Sequence, residues 1–140
     1  MKTLKNLIDL NDEQRELADR FCDAAQALAR IANGISGRVM PAPTAYDLLG
    51  NLKAALGYLA EVAVFVPDGV RNSLTDERID VYDQDLWTGE RRDASRQVTI
   101  AAQHLKELLI HLEAAQEAAE AAQVALSSQG YRDHHEMSRR

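Results

Sequence analysis

The sequence predicts an all-α protein, a three-helix, mostly antiparallel bundle with a long third helix and an irregular acidic loop between helices two and three. Three observations carry this. Apolar residues recur at steps of three and four in three separate segments, the spacing that brings side chains to one face of a helix. All 3 prolines and five of the 7 glycines fall outside those segments. Aromatics make up 5% of the chain against 46% hydrophobic residues, so the core is built of Leu, Val, Ile and Ala, which suits close helix packing better than a wide ligand cavity.

The first segment opens at Asn11, a good N-cap, with Gln14 three places on. Leu17, Phe21, Ala24, Leu28 and Ile31 then mark one helical face. Beside it runs a stripe of small residues, Ala18, Cys22, Ala25, Ala29 and Ala32, and Asn33-Gly34 supplies a C-terminal stop. Leu4, Leu7 and Ile8 fit a separate short amphipathic turn.

Residues 34–43 hold two glycines and two prolines and cannot continue that helix. Thr44 with Asp47 resembles a capping box, so the second helix is expected to begin there. Its stripe is Ala45, Leu48, Leu52, Ala55, Leu59, Val62 and Val66, widened by Leu49, Leu56, Ala63 and Phe65. A helix this apolar belongs at the centre of a bundle. Gly50 and Gly57 each cost up to about 1 kcal/mol of helix propensity relative to Ala, and the expected return is close approach by a partner helix backbone. Pro67-Asp68-Gly69 is expected to end the element.

From Asp93 to Ser128 no Pro or Gly intervenes, and Val98, Ala101, Leu105, Leu108, Leu112, Ala115, Ala119, Ala122 and Leu126 keep a heptad rhythm. Gly130 is placed for a C-terminal cap with Tyr131 folding back on Leu126. Residues 1–130 are thus expected to form one helical-bundle domain and residues 131–140 a flexible polar tail. At 1.5 Å per residue, the third helix spans about 50 Å and the first two about 33 Å each, leaving an overhang to cover. A second copy of the chain covers it well, so a homodimer is expected, with Leu112, Ala115, Ala119, Ala122 and Leu126 as its seam.

Charge narrows the function. The net charge of -6 opposes the electrostatic attraction on which nonspecific nucleic-acid binding rests, and Glu90 and Asp93 dilute the cluster Arg91, Arg92 and Arg96. The single Cys22 cannot form an internal disulfide, which fits a reducing, cytoplasmic setting. No run approaches the ~20 apolar residues of a membrane span, and the N-terminus lacks the long apolar stretch of a signal peptide. Heavy use of Ala, and of Arg over Lys, fits a bacterial chain.

Catalytic signals are sparse. His104, Glu107 and His111 share one face of the third helix at metal-ligand spacing, but no second helix offers the cluster that would complete a site. Cys22 has no sequence-near His, and no phosphate loop, His-Glu-x-x-His or Gly-x-Ser-x-Gly motif occurs. Asp80, Asp83 and Asp85 suggest calcium, yet Trp87 and Thr88 stand where an EF-hand loop needs an oxygen ligand and a glycine. No enzyme, cofactor or metal is expected.

The segment 67–92 is long for a connection within a bundle and carries the single Trp. Residues 78–83 alternate polar and apolar, the pattern of a short hairpin or edge strand. Two roles fit Leu86 and Trp87: plugging the bundle end, or anchoring a protein partner beside Asp80, Asp83 and Asp85. The second makes the chain a non-enzymatic structural or protein-interaction module. Trp87-Thr88-Gly89 also resembles the turn motif of the small helical-hairpin proteins exported by type VII secretion systems, which implies an exported effector. That family has two helices about a short turn, whereas three helices are expected here, and His135 stands four residues after Tyr131, where the family carries an acid.

Overall fold

The computed structural model describes residues 4–35 and 39–130. The described residues contain three helices of 32 residues each, α1 (Leu4–Ile35), α2 (Ala42–Ser73) and α3 (Ser95–Leu126), and two short strands, β1 (Tyr82–Gln84) and β2 (Arg91–Asp93). The chain is mostly helical, as its periodicity predicts. The third helix is no longer than the others, so the expected overhang is absent. Two compact units divide the chain, Met1–Met40 and Pro41–Arg140.

In the first unit, α1 runs through Asn11 and through Asn33-Gly34 without a break. The apolar turn at Leu4, Leu7 and Ile8 therefore joins the main helix. Asn costs only a fraction of a kcal/mol against Ala inside a helix, much less than starting a second nucleus. Arg15 pairs with Asp12 at 2.6 Å and Arg20 with Glu16 at 2.6 Å, both exposed contacts one turn apart along the helix. The predicted apolar face is exposed at Leu17, Phe21 and Leu28, and Cys22 is exposed rather than packed.

In the second unit, α2 starts two residues before the predicted capping box. Pro41 stands at the N-cap in extended conformation and Pro43 in the first turn, where a missing N–H goes unneeded; Ala45 N donates to Pro41 O at 3.1 Å. The helix does not end at Pro67 but continues to Ser73. A mid-helix proline costs roughly 3 kcal/mol. Here its ring is buried, and continuation carries the buried line Ala63 and Pro67 on to the half-buried Val70 and Leu74.

α2 and α3 pack against each other and form the core of this unit. On α3 the line facing α2 passes through Val98, Ala102, Leu105, Leu109, Leu112, Gln116, Ala119, Gln123 and Leu126, which are buried or half-buried. Every second position of the predicted stripe is therefore displaced by one residue: Ala101, Leu108, Ala115 and Ala122 are exposed. Of the five expected dimer-seam residues, Leu112, Ala119 and Leu126 lie in the seam with α2, and Ala115 and Ala122 lie outside it.

The displacement has a cause on α2. A Cβ on Gly50 would stand 2.7 Å from Gln123 Nε2, and one on Gly57 would stand 2.9 Å from Gln116 Nε2. These glycines admit two glutamine side chains seven residues apart, not the backbone of a partner helix. Gln123 Nε2 donates to Tyr46 O at 3.2 Å, and Lys53 Nζ pairs with Glu120 Oε1 at 2.9 Å between them.

α3 begins where Asp93 Oδ1 accepts the Ser95 hydroxyl at 2.7 Å and the Ser95 amide at 3.0 Å. Those two bonds, the hydroxyl first, hold the Asp93 carboxyl below its ordinary range. At its other end α3 stops at Leu126 with a right-handed residue, Ser127, at the C-cap, so Gly130 does not cap it. Tyr131 and the expected polar tail lie outside the described residues.

Gly57→Ala is expected to stabilise the unit by about 0.5–1 kcal/mol, because the flexible tip of Gln116 can swing aside while the helix gains alanine's propensity. Gly50→Ala should come out near zero, since displacing Gln123 also breaks its bond to Tyr46. Urea titration of both variants checks the pair; a loss above about 1 kcal/mol in Gly57→Ala would show that Gln116 cannot move.

Candidate functional site

The connection between α2 and α3 is a β-hairpin rather than an irregular loop. After α2, Asp76 accepts from the Arg78 amide at 2.9 Å and from its guanidinium at 2.8 Å. The guanidinium contact foremost holds the Asp76 carboxyl down at about 2. This tight turn carries the chain past the half-buried Ile79 and Val81 into β1. β1 and β2 pair antiparallel, with Tyr82 opposite Asp93, Asp83 opposite Arg92 and Gln84 opposite Arg91. Arg91 lies diagonally over the Tyr82 ring, its guanidinium carbon 4.1 Å from the centroid.

Residues 85–90 turn the chain between the strands. Asp85 Oδ1 accepts the amides of Trp87 and Thr88, each at 2.9 Å, which folds the chain into a right-handed turn. Gly89 N donates to Asp85 O at 2.8 Å, Asp85 N to Glu90 O at 2.9 Å, and Glu90 N to Thr88 Oγ1 at 3.3 Å. Closing that ring requires one left-handed residue, and Gly89 supplies it at φ 70, the one positive-φ glycine among the described residues. Arg92 braces the turn from β2, reaching Asp85 Oδ2 at 3.1 Å and Glu90 at 3.4 Å. The amide of Thr88, then that of Trp87, lowers the Asp85 carboxyl below its ordinary range.

The consequence is a pinned backbone with two apolar side chains pointing into solvent. Leu86 is 95% exposed and Trp87 97%. They do not plug the end of the helices. Asp83 and Asp85 are half-buried within the hairpin and Asp80 is exposed just before it. Asp85 is committed to the turn, so the three aspartates do not form a calcium loop. The Trp87-Thr88-Gly89 motif sits at the tip of this β-hairpin, not in a direct helix-to-helix turn.

Other chemistry is thinly represented. His104 Nδ1 lies 3.2 Å from Glu107 Oε2, both on the exposed side of α3, and His111 is exposed one turn further on. Among the described residues no group of three or more His, Cys, Asp or Glu is placed to hold a metal ion. A shallow depression of about 250 Å³ lies between the start of α2 and the end of α3, lined by Pro43, Tyr46, Asp47, Leu126, Ser127 and Gln129. Its serine, Ser127, donates its hydroxyl to Val124 O at 2.7 Å.

No family model, curated protein or solved structure matches the chain significantly.

One property of α2 departs from the sequence expectation. Among the described residues, Ala42–Ser73 is long and apolar enough, by length and composition, to cross a membrane. Between Leu48 and Val66 only Lys53 and Glu61 are charged, and small residues fill the gaps between bulky ones.

The lowered Asp85 carboxyl makes the turn sensitive to acid. Its folded-state value lies under the ordinary 3.8, so its contribution is complete at neutral pH and declines only as pH falls below that value toward the folded one. The chemical shifts of the Trp87 and Thr88 amides, and their exchange protection relative to an unstructured chain, should therefore hold constant from pH 7 to 5 and move below pH 4. Asp85→Ala should produce the acid form at neutral pH. An unchanged Thr88 amide in that variant would show that Gly89 and the strands set the turn alone.

Proposed function

We propose that this chain is a non-enzymatic protein-interaction module whose contact element is the β-hairpin tip, carried by α2 and α3 as an antiparallel stalk. The antiparallel reading is supported by the seam: Gly50 meets Gln123, Lys53 meets Glu120 and Gly57 meets Gln116, so partners on α3 run backwards as α2 runs forwards.

The observation that carries the function is the exposure of Trp87 on a backbone held rigid by Asp85 and Gly89. An indole offers about 200 Å² of surface, worth roughly 5 kcal/mol when removed from water. A pinned turn presents it with little ordering cost on binding. Eight acids against four arginines leave residues 67–93 at -4. The fitting partner is thus an apolar protein groove with a basic rim, where charge orients the encounter and Leu86 and Trp87 supply the buried area.

Trp87→Ala is expected to keep the melting temperature, because a side chain this exposed contributes within about 0.5 kcal/mol to stability. Binding to the partner captured from the native host should weaken by about 2 kcal/mol, some thirtyfold, and the wild-type interaction should weaken with salt without vanishing. Calorimetry on the captured partner and a thermal melt of the variant check this together. A variant that melts markedly lower, or binds unchanged, would end the role given to Trp87.

A further inference from the structure

The stalk has a second apolar surface. At about 100° per residue, the residues one place before the α2 seam form a neighbouring stripe: Leu48, Leu52, Ala55, Leu59, Val62 and Val66. None is fully buried, and Leu52, Val62 and Val66 are exposed. The residues one place before the α3 seam include Ala101, Leu108, Ala115 and Ala122, all exposed. In an antiparallel pair both stripes fall on the same side of the stalk, while Lys53–Glu120 and the two glutamines mark the seam and its opposite side. Between Leu48 and Val66 on α2 and between Ala101 and Ala122 on α3, the titratable groups at that face are His104, His111 and Glu107, which lies 3.2 Å from His104 Nδ1.

We infer that this face is the docking surface for a second copy of the chain, giving a dimer of parallel stalks with both hairpin tips at one end. The inference rests on the antiparallel arrangement of α2 and α3 and not on the partner role of Trp87. Size is its first support. The face runs 19 residues along α2 and 22 along α3, roughly 30 Å by 18 Å for axes 8–10 Å apart, or about 550 Å² per copy. The two copies together bury about 1,100 Å², above the roughly 1,000 Å² that a specific interface clears.

Shape chooses the symmetry. The α2 stripe is a ridge mostly of Leu and Val, and the α3 stripe is a trough over the small residues Ala115, Ala118 and Ala122, bounded by Leu108 and His111. A twofold axis along the stalk lays the α2 ridge of each copy in the partner's α3 trough, an isologous contact. A twofold across the stalk would set ridge on ridge and trough on trough, losing close packing at both. The axis along the stalk also keeps direction, so the tips share an end and a partner with two grooves can engage both.

Light scattering of the full chain at tens of micromolar should give twice 15.5 kDa. Val62→Glu and Leu108→Glu, both at exposed positions, should each halve that mass with the helical circular dichroism unchanged, whereas Trp87→Ala should leave the mass as it is. Spin labels on Thr88→Cys, in a Cys22→Ser background, should report a separation below about 40 Å; tips at opposite ends of stalks about 48 Å long lie about 60 Å or more apart. A monomeric wild type, a dimer indifferent to both glutamates, a dimer dissolved by Trp87→Ala or the long distance would each overturn the inference.

Discussion

Everything in the second unit depends on one seam between two helices. Two cylinders can hide only one stripe each, and the residues buried here are small: Ala63, Ala94, Ala102 and Ala119, with Val98 and Pro67. No large side chain is fully buried among the described residues. Alanine lets helix axes come close and gains packing contacts, yet it removes little surface from water per residue. The larger Leu and Val side chains are left half in solvent along the flanks. A helix pair built this way has specific register and modest burial, and its remaining apolar surface is a standing free-energy cost.

Register comes from polar groups within that seam. A heptad position occupied by Gln is weak glue but strong instruction, because a glycine opposite leaves room for it in its present rotamer. Gln116 and Gln123 find Gly57 and Gly50, and a one-turn slip would set each against a residue that carries a side chain. The Lys53–Glu120 pair adds the same direction at the surface, where ion pairs discriminate more than they stabilise. Glycine in mid-helix, costly by propensity, is thus explained by a side chain on another element.

The same pairing shows how far the sequence could be read. Three helices were legible because three-four periodicity depends on one chain's own residues. Their ends were less so: Asn11 and Asn33-Gly34 carry stop and start chemistry that propagation overrides, and Pro67 is tolerated because burial offsets its cost. The α3 stripe was legible at Val98, Leu105, Leu112, Ala119 and Leu126 and misplaced between them. Hydrophobicity alone ranks Ala115 and Ala122 above Gln116 and Gln123; only the glycines of α2, far away in sequence, reverse that order. At the hairpin, alternation in residues 78–83 marked strand character a few places early, since the turn at Asp76 and Arg78 uses residues that resemble a strand. The pairing of Asp85 with Gly89 around the tip is the local signal that marks the turn.

That pairing also settles why Trp87 stays in water. A free loop would fold its largest apolar side chain back onto the half-buried flanks of the helices, gaining part of the roughly 5 kcal/mol a buried indole is worth. Here, folding back means giving up the two amides on Asp85 Oδ1, the Gly89–Asp85 closure and the brace from Arg92 together, because Trp87 lies inside the ring they define. Partial burial at the expense of the turn is a poor exchange. An external groove that covers the whole ring leaves every one of those bonds in place, so the full gain goes to binding. The turn chemistry that pins the tip therefore favours, on the role proposed for Trp87, an outside partner over the chain's own helices as its cover.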